Sequence, residues 1–183
     1  YGAPRSSDAS GPLVGYVDSN WGGVGEDAGK SRCGYIFLSW QSPISWSSFK
    51  GTATALSSCE AEYSAAYQAS REVTFIRSLL DELGMTINGS TILAVDNTAA
   101  IDVANDYGVT ARTKHFERVM HFLREKVADL SIKMVYVNTK HQLADIFTKA
   151  LEKGSFIKFR DVIMNNHISL KESVAAAVCG LHG

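Results

Sequence analysis

The sequence predicts an α/β protein in which a five-stranded mixed sheet is flanked by helices. Three short strands separated only by turn residues occupy the first quarter of the chain, a pattern typical of antiparallel pairing. Strands and helical segments then alternate, which favours crossovers between parallel strands. The chain has 183 residues, 45% of them hydrophobic and 20% charged, which suits one domain with a substantial core.

The first three strands follow a linker. Residues 1–12 are rich in Ser, Gly, Pro and Ala and are predicted to be a tether. LVGYVDS then forms an apolar strand that ends in an acid, and the Gly-rich loop GGVGEDAGKS leads to CGYIFLSW. A turn at Pro43 begins a third strand, ISWSS, so these strands are expected to form an antiparallel meander.

A long helix is predicted from Ser57 to Leu83, where Ser57 or Ser58 would cap the start and Gly84 would end it. Its inward positions recur every three or four residues: Cys59, Tyr63, Ala66, Val73, Ile76, Leu80 and Leu83. TILAVD is a fourth strand, and NTAAIDVAN is a short helix. A second amphipathic helix should run from Thr113 to Leu130, with inward side chains at Phe116, Val119, Phe122, Leu123, Val127 and Leu130.

The rest of the chain adds a fifth strand, IKMVYVN, and a helix over HQLADIFTKAL. We expect the domain to occupy residues 13–153 and residues 154–183 to be a helical extension and tail. Trp21 and Trp46 are expected to pack against the fold rather than stack on bases.

Charge divides the chain into two halves. Residues 1–110 hold six Lys or Arg against twelve Asp or Glu, and residues 111–160 hold eleven against five. An acidic half that could hold cations and a basic half that could hold a polyanion would suit a metal-dependent nucleic-acid enzyme. The alternative explanation of this charge asymmetry is that both halves simply carry charged faces exposed to solvent. No apolar run reaches the length of a membrane helix, so no membrane partner is expected, and the three cysteines lack metal or redox spacing.

Five acids are candidates for chemistry. Asp18 and Asp96 each close a strand, where ligands collect in α/β sheets. Asp145 lies among apolar neighbours, and Glu60 and Glu62 begin the long helix. Converging carboxylates without matching His or Cys favour Mg²⁺ or Mn²⁺, and two such ions could drive phosphodiester hydrolysis.

Six motifs in order resemble the ribonuclease H domain of copia-like (Pseudoviridae-type) LTR retrotransposon Pol polyproteins. They are GYVDSNWGG, KSRCGYIFLSWQSPISWSS, ALSSCEAEYSAA, AVDNTAAI, RTKHFERVMHFLRE and HQLADIFTKAL, and they span residues 15–151. The resemblance implies the ribonuclease H-like fold and hydrolysis of the RNA strand of an RNA–DNA hybrid with two Mg²⁺ or Mn²⁺ ions. It also implies an upstream reverse transcriptase domain and an intracellular location in a cytoplasmic virus-like particle. The nucleus is an additional candidate location.

The resemblance also implies the site residues. Four acids would be catalytic and hold the metal ions: Asp18, Glu62, Asp96 and Asp145. Ser57, Ser58 and Asn97 would contact 2′-hydroxyls of the RNA, although helix caps are the alternative. Apart from the resemblance, RTKH opens the basic half of the chain, and we expect Arg112, Lys114 and His115 to contact backbone phosphates, with a solvated helix start as the alternative.

Helix geometry separates the two glutamates independently, because side chains two residues apart point about 200° away from each other. Glu60 shares a polar stripe with Ser64, Tyr67 and Arg71, whereas Glu62 runs with Ala65, Ala66, Ala69 and Val73. Small residues allow close approach to a sheet. Both lines of reasoning therefore select Glu62 as the ligand and leave Glu60 as a helix-start acid.

The sequence departs from the family pattern at three places. Thr98 follows Asn97 where many relatives have Gln, Cys59 stands where Thr is common, and His141 is a weak counterpart of the loop histidine of cellular ribonucleases H. A domesticated or catalytically weak module that binds nucleic acid or a protein partner is the alternative function. The four acids argue against it, and they also argue against a related integrase.

Overall fold

The computed structural model describes residues 13–22, 30–40, 42–55, 57–105 and 117–164. Five strands within these ranges form one sheet in the order β3-β2-β1-β4-β5. Their bounds are β1 Leu13–Asn20, β2 Lys30–Ser39, β3 Ser42–Thr54, β4 Thr91–Val95 and β5 Ile132–Tyr136. The first three strands pair antiparallel, whereas β4 is parallel to both β1 and β5. The predicted mixed five-stranded sheet is therefore confirmed.

Helices cover both faces of this sheet. They are α1 Ser58–Glu82, α2 Thr98–Asn105, α3 Glu117–Ala128, α4 Asp145–Thr148 and α5 Lys153–Ile163. Alternating β1 side chains face opposite sides: Leu13 and Val17 join the core under α1, α2 and α3, while Val14 and Tyr16 join the core on the α5 side. Two hydrophobic cores thus hold β1 at the centre of the molecule.

Helix α1 begins where its sequence predicts. The Ser57 hydroxyl accepts a hydrogen bond from the Glu60 backbone N–H at 3.2 Å, which caps the first turn. The face toward the sheet is lined by small side chains at fully buried positions: Ala61, Ala65, Ala66 and Ala69. Because these side chains are short, α1 can lie close to β1, and this brings Glu62 to the end of that strand.

Two predicted inward positions are wrong. Leu83 is 61% exposed because it is the C-cap of α1, and Gly84 follows it with a positive φ of 73°. Leu130 is 71% exposed with a φ of 61°, since α3 has already ended at Ala128 and the chain turns into β5. Phe116 lies outside the described residues.

The predicted helix over HQLADIFTKAL is also wrong in extent. A single 3₁₀ turn covers Thr139–His141, and α4 is only four residues long. Gln142 interrupts the helix with an extended backbone, φ −77° and ψ 96°. Its side chain is directed into the sheet instead, and this interruption sets the position of Asp145.

Neither tryptophan singled out in the sequence is buried. Trp46 is 60% exposed because β3 is the edge of the sheet, so the expected packing is wrong for this residue. Trp21 is 49% exposed, although its indole N–H donates to the Ala55 carbonyl at 2.9 Å. Its ring is therefore anchored at one end only.

Two properties of the described segments bear on the setting of the fold. No helix in them combines the length and apolar character needed to traverse a lipid bilayer. Cys33 and Cys59 are free thiols, and Cys33 is buried. Burial raises the pKa of the Cys33 thiol to about 12, so it is protonated at neutral pH.

Candidate metal centre

The candidate site forms where β1 and β4 separate. Their parallel pairing ends at Tyr16 and Ala94, and two residues later each strand presents an acid, Asp18 and Asp96. Helix α1 adds Glu62 from above the same end of the sheet. One carboxylate oxygen from each of these three residues lies within 4.8 Å of the other two. We call Asp18, Glu62 and Asp96 the acidic cluster.

Glu62 is held by one oxygen and leaves the other available. Its Oε1 accepts hydrogen bonds from the Ser19 backbone N–H at 3.1 Å and from the Ser19 hydroxyl at 3.0 Å. Its Oε2 is buried and has no hydrogen-bond partner among the described residues. Burial, together with the charges of Asp18 and Asp96, raises the pKa of Glu62 to about 8, against the lowering effect of Ser19.

Asp96 is half-buried and is fixed from the opposite side. The Thr139 hydroxyl donates to Asp96 Oδ2 at 3.0 Å, so the 3₁₀ turn after β5 orients this carboxylate. Burial, and after it the charge of Asp18, raises the pKa of Asp96.

Asp145 is joined to the acidic cluster through a lysine. Lys149 Nζ lies 2.9 Å from Asp145 Oδ1 and 3.6 Å from Asp18 Oδ2, bridging the two buried carboxylates. The Thr148 hydroxyl also donates to Asp18 Oδ2. Burial raises the pKa of Asp145 to about 6 against its hydrogen bond with Lys149, and the charge of Asp18 adds to the rise.

The pKa of Lys149 is raised overall. Burial lowers it, but the hydrogen bond with Asp145 and the charges of Asp18 and Asp96 outweigh burial. A cation is therefore already favoured between Asp18 and Asp145.

The chemistry of the donor set fits a hard divalent cation. Among the described residues the candidate ligand atoms that converge are carboxylate oxygens, and Mg²⁺ and Mn²⁺ prefer oxygen ligands. The buried Glu62 Oε2 without a hydrogen-bond partner is an available ligand atom, and the shared negative charge of the acidic cluster would be offset by a cation. The ammonium of Lys149 shows where positive charge is already accommodated.

Three of the six predicted substrate contacts lie within the described residues, and two of these three cap helices. Ser57 caps α1, and the Asn97 side chain caps α2 by accepting from the Ala100 N–H at 3.2 Å. Ser58 is exposed at the start of α1. Ser57 and Ser58 lie close to Glu62 in the sequence, and Asn97 directly follows Asp96. The side chains of Ser57 and Asn97, however, are used to cap helices. Arg112, Lys114 and His115 lie outside the described residues.

Sequence reasoning missed four side chains that fix the carboxylates: Ser19, Thr139, Thr148 and Lys149. Two of them could have been found, because Thr148 and Lys149 follow Asp145 by three and four residues, the spacing of neighbours on one helical face. Ser19 directly follows Asp18 and belongs to the same motif. Thr139 carries no local signal, since only the tertiary fold brings it to Asp96.

Known proteins similar in sequence to this chain are transposon polyproteins. Over 147 residues, 80% of the chain, it is 37% identical to the retrovirus-related Pol polyprotein from transposon RE2 of Arabidopsis thaliana. It is 34% identical over 151 residues to the corresponding polyprotein from transposon TNT 1-94 of Nicotiana tabacum. These matches cover 10% and 11% of the relatives, so the chain spans about a tenth of their length. No protein-family model matches the chain.

Solved structures with the same fold include ribonucleases H and a foamy viral protease-reverse transcriptase. LC11-RNase H1 in complex with an RNA/DNA hybrid superposes with a TM-score of 0.53 at 13% identity, over 74% of this chain and 93% of that chain. The foamy viral protease-reverse transcriptase in complex with RNA/DNA hybrid gives 0.56 at 13% identity, over 86% of this chain and 22% of that chain. The shared feature is the ribonuclease H fold.

Proposed function

Since the chain is a ribonuclease H-fold relative of the retrovirus-related Pol polyproteins of transposons, we propose that it hydrolyses the RNA strand of RNA–DNA hybrids. The cleavage would be endonucleolytic, would use two Mg²⁺ or Mn²⁺ ions and would serve reverse transcription of a retrotransposon. The observation that carries the proposal is the convergence of Asp18, Glu62 and Asp96 at the ends of β1 and β4. The buried, unpartnered oxygen of Glu62 supports it within the described residues.

The acidic cluster would hold one cation, and Asp18 and Asp145 would hold the second in place of the Lys149 ammonium. When bound, divalent cations lower the pKa of a water nucleophile and stabilise charge on the phosphate. The protein orients the ligands: Ser19 holds Glu62, Thr139 holds Asp96, and Thr148 holds Asp18. Fixed carboxylates lose little freedom when a cation binds, which favours a single reactive geometry.

The proposed partners follow from the same relationship. An RNA–DNA hybrid would be the substrate, gripped near the acidic cluster by Ser57, Ser58 and Asn97, and by Arg112, Lys114 and His115 along its backbone. A reverse transcriptase domain would adjoin this chain in a longer polyprotein. The chain's match to about a tenth of its relatives' length supports this arrangement, as does the foamy viral chain, which contains the same fold in about a fifth of its length.

Cleavage of a labelled RNA–DNA hybrid with Mg²⁺ or Mn²⁺ tests the proposal with paired variants. Glu62→Gln and Asp96→Asn should each reduce the rate by at least about 100-fold, since removing even an outer-shell partner costs 10- to 100-fold. Glu60→Gln is the matched control on the same helix and should cleave at nearly the wild-type rate. If wild type and Asp96→Asn are equally inert while both bind the hybrid, the protein is a binding module and the proposal fails.

A further inference from the structure

Gln142 is a fully buried polar side chain that the metal chemistry does not itself require. It lies between the 3₁₀ turn and α4 and has 0% exposure. A buried carboxamide is costly unless its donors and acceptor are paired. Both its oxygen and its nitrogen have partners, and these partners lie on three separate segments of the chain.

The amide nitrogen bridges the two central strands. Gln142 Nε2 donates to the Val17 carbonyl at 2.8 Å and to the Ala94 carbonyl at 3.3 Å. The parallel pairing of β1 and β4 ends at Tyr16 and Ala94. The side chain therefore closes the gap that opens between the strands, immediately before their acids.

The amide oxygen extends the connection to a third segment. Gln142 Oε1 accepts from the Ala144 N–H at 3.2 Å, while the Gln142 backbone carbonyl accepts from the Asp145 N–H at the same distance. Val17, Ala94 and Ala144 lie one, two and one residues before Asp18, Asp96 and Asp145. One side chain thus links the backbones that carry three of the four candidate ligands.

We infer that Gln142 is the positioning residue of the metal centre: its carboxamide sets the separation of Asp18, Asp96 and Asp145. This inference rests on the proposed function. Without the bridge, the Val17 and Ala94 carbonyls would lose the donor that they share, and we expect the strand ends to move apart. The carboxylates would then meet a cation in a wider, less ordered arrangement.

The test replaces Gln142 with Met, which has similar length but no donors. Mn²⁺ affinity is measured by calorimetry, at a temperature well below the unfolding midpoint of each variant. We expect Mn²⁺ affinity to fall about 10- to 100-fold, as when outer-shell partners are removed. The rate of hybrid cleavage at saturating hybrid should fall while the KM for hybrid changes little, because the substrate surface is intact.

Thr91→Val is the control, since Thr91 is also a fully buried polar residue but lies at the start of β4, where its hydroxyl accepts from Arg77. It should lose stability and keep wild-type Mn²⁺ affinity. If Gln142→Met does not fold, Gln142→Asn keeps an uncharged carboxamide that is one methylene too short to reach both carbonyls, and the Mn²⁺ affinity of this variant decides the question.

The outcomes separate the two proposals. Wild-type protein that binds no Mn²⁺ would overturn the proposed function and this inference together. Wild-type binding with equal affinity in Gln142→Met or Gln142→Asn would overturn the inference alone and leave the proposed function standing. Weaker binding in Thr91→Val matching that of Gln142→Met would also overturn it, because general loss of stability would then explain both.

Discussion

Glu62 has two oxygens with different surroundings. Ser19 occupies Oε1 with two hydrogen bonds, and Oε2 is buried without a partner in the described structure. A carboxylate in this position is costly while it is charged, so it either takes up a proton or pairs with a cation. Its protonation state is therefore coupled to both stability and metal binding.

This coupling predicts how stability changes with pH. Glu62 has a pKa of about 8 in the folded protein and an ordinary value of 4.5 in the unfolded chain. Between these values the folded state binds a proton that the unfolded state has released, so the free energy of unfolding falls as pH rises. In EDTA, ionisation of Glu62 should lower the free energy of unfolding by up to about 1.4 kcal/mol for each pH unit in this range.

Denaturant unfolding in EDTA at several pH values between about 5 and 8 measures this contribution. Glu62→Gln cannot ionise, so its free energy of unfolding should fall less steeply with pH than that of the wild type. Parallel curves for the two proteins would show that Glu62 is already ionised in the folded state.

Lys149 provides a second prediction at the scale of one side chain. Its ammonium offsets the charge of Asp18 and Asp145, so Lys149→Gln should lower the thermal midpoint in EDTA. Added Mn²⁺ should then raise the midpoint more than it does in the wild type, because ion and ammonium compete for the same carboxylates and bound ligand stabilises by mass action.

Differential scanning calorimetry with and without Mn²⁺ measures both the lower midpoint in EDTA and the larger rise on adding Mn²⁺. Lys133→Gln, an exposed lysine on β5, removes the same charge away from the acids and should show neither effect. An unchanged Mn²⁺ shift in Lys149→Gln would mean that its ammonium does not compete with the ion.

Among the elements, α4 depends on a close contact with β2. Gly34 pairs with Asp18 across the antiparallel ladder, and α4 passes directly over it. A Cβ on Gly34 would lie 2.7 Å from Phe147 Cβ and 3.0 Å from Thr148 Cγ2. The glycine is required because the strand and the short helix leave no room for a side chain.

Gly34→Ala should therefore displace α4 and with it the Thr148 hydroxyl that donates to Asp18. We expect a loss of about 1–3 kcal/mol in the free energy of unfolding, the usual cost of overpacking, together with weaker Mn²⁺ binding. Gly154→Ala is the control, since no atom lies within 4 Å of its added Cβ in α5. It should be neutral or slightly stabilising, and equal behaviour of the two variants would refute the packing argument.

The elements also show where sequence patterns have limited power. The 3.6-residue period predicts α1 to within one residue at each end and distinguishes Glu62 from Glu60 by the stripe each occupies. The same period wrongly extends a helix through HQLADIFTKAL, since local apolar spacing carries no information about Gln142 bonding to Val17, 125 residues away. Likewise, Trp46 is exposed because β3 is an edge strand, and strand order is a tertiary property.

For the whole molecule, the fold could be predicted because each element has a strong local pattern and the order of elements restricts the topology. Strand-end acids could be predicted for a related reason, since parallel strands bring their carboxyl ends to one edge of the sheet. The residues that fix those acids could not, because Thr139 and Gln142 act across distances that only the folded chain closes. The resemblance to transposon Pol polyproteins is confirmed.

The bridge from Gln142 to Val17 has a consequence for the timing of synthesis. The first acid is made near the start of the described chain, but its carboxylate acquires its partners Thr148 and Lys149 only after 130 further residues have been added. A nascent chain that ends before Gln142 would therefore leave the Val17 carbonyl without its side-chain donor and the Asp18 carboxylate without Thr148 and Lys149.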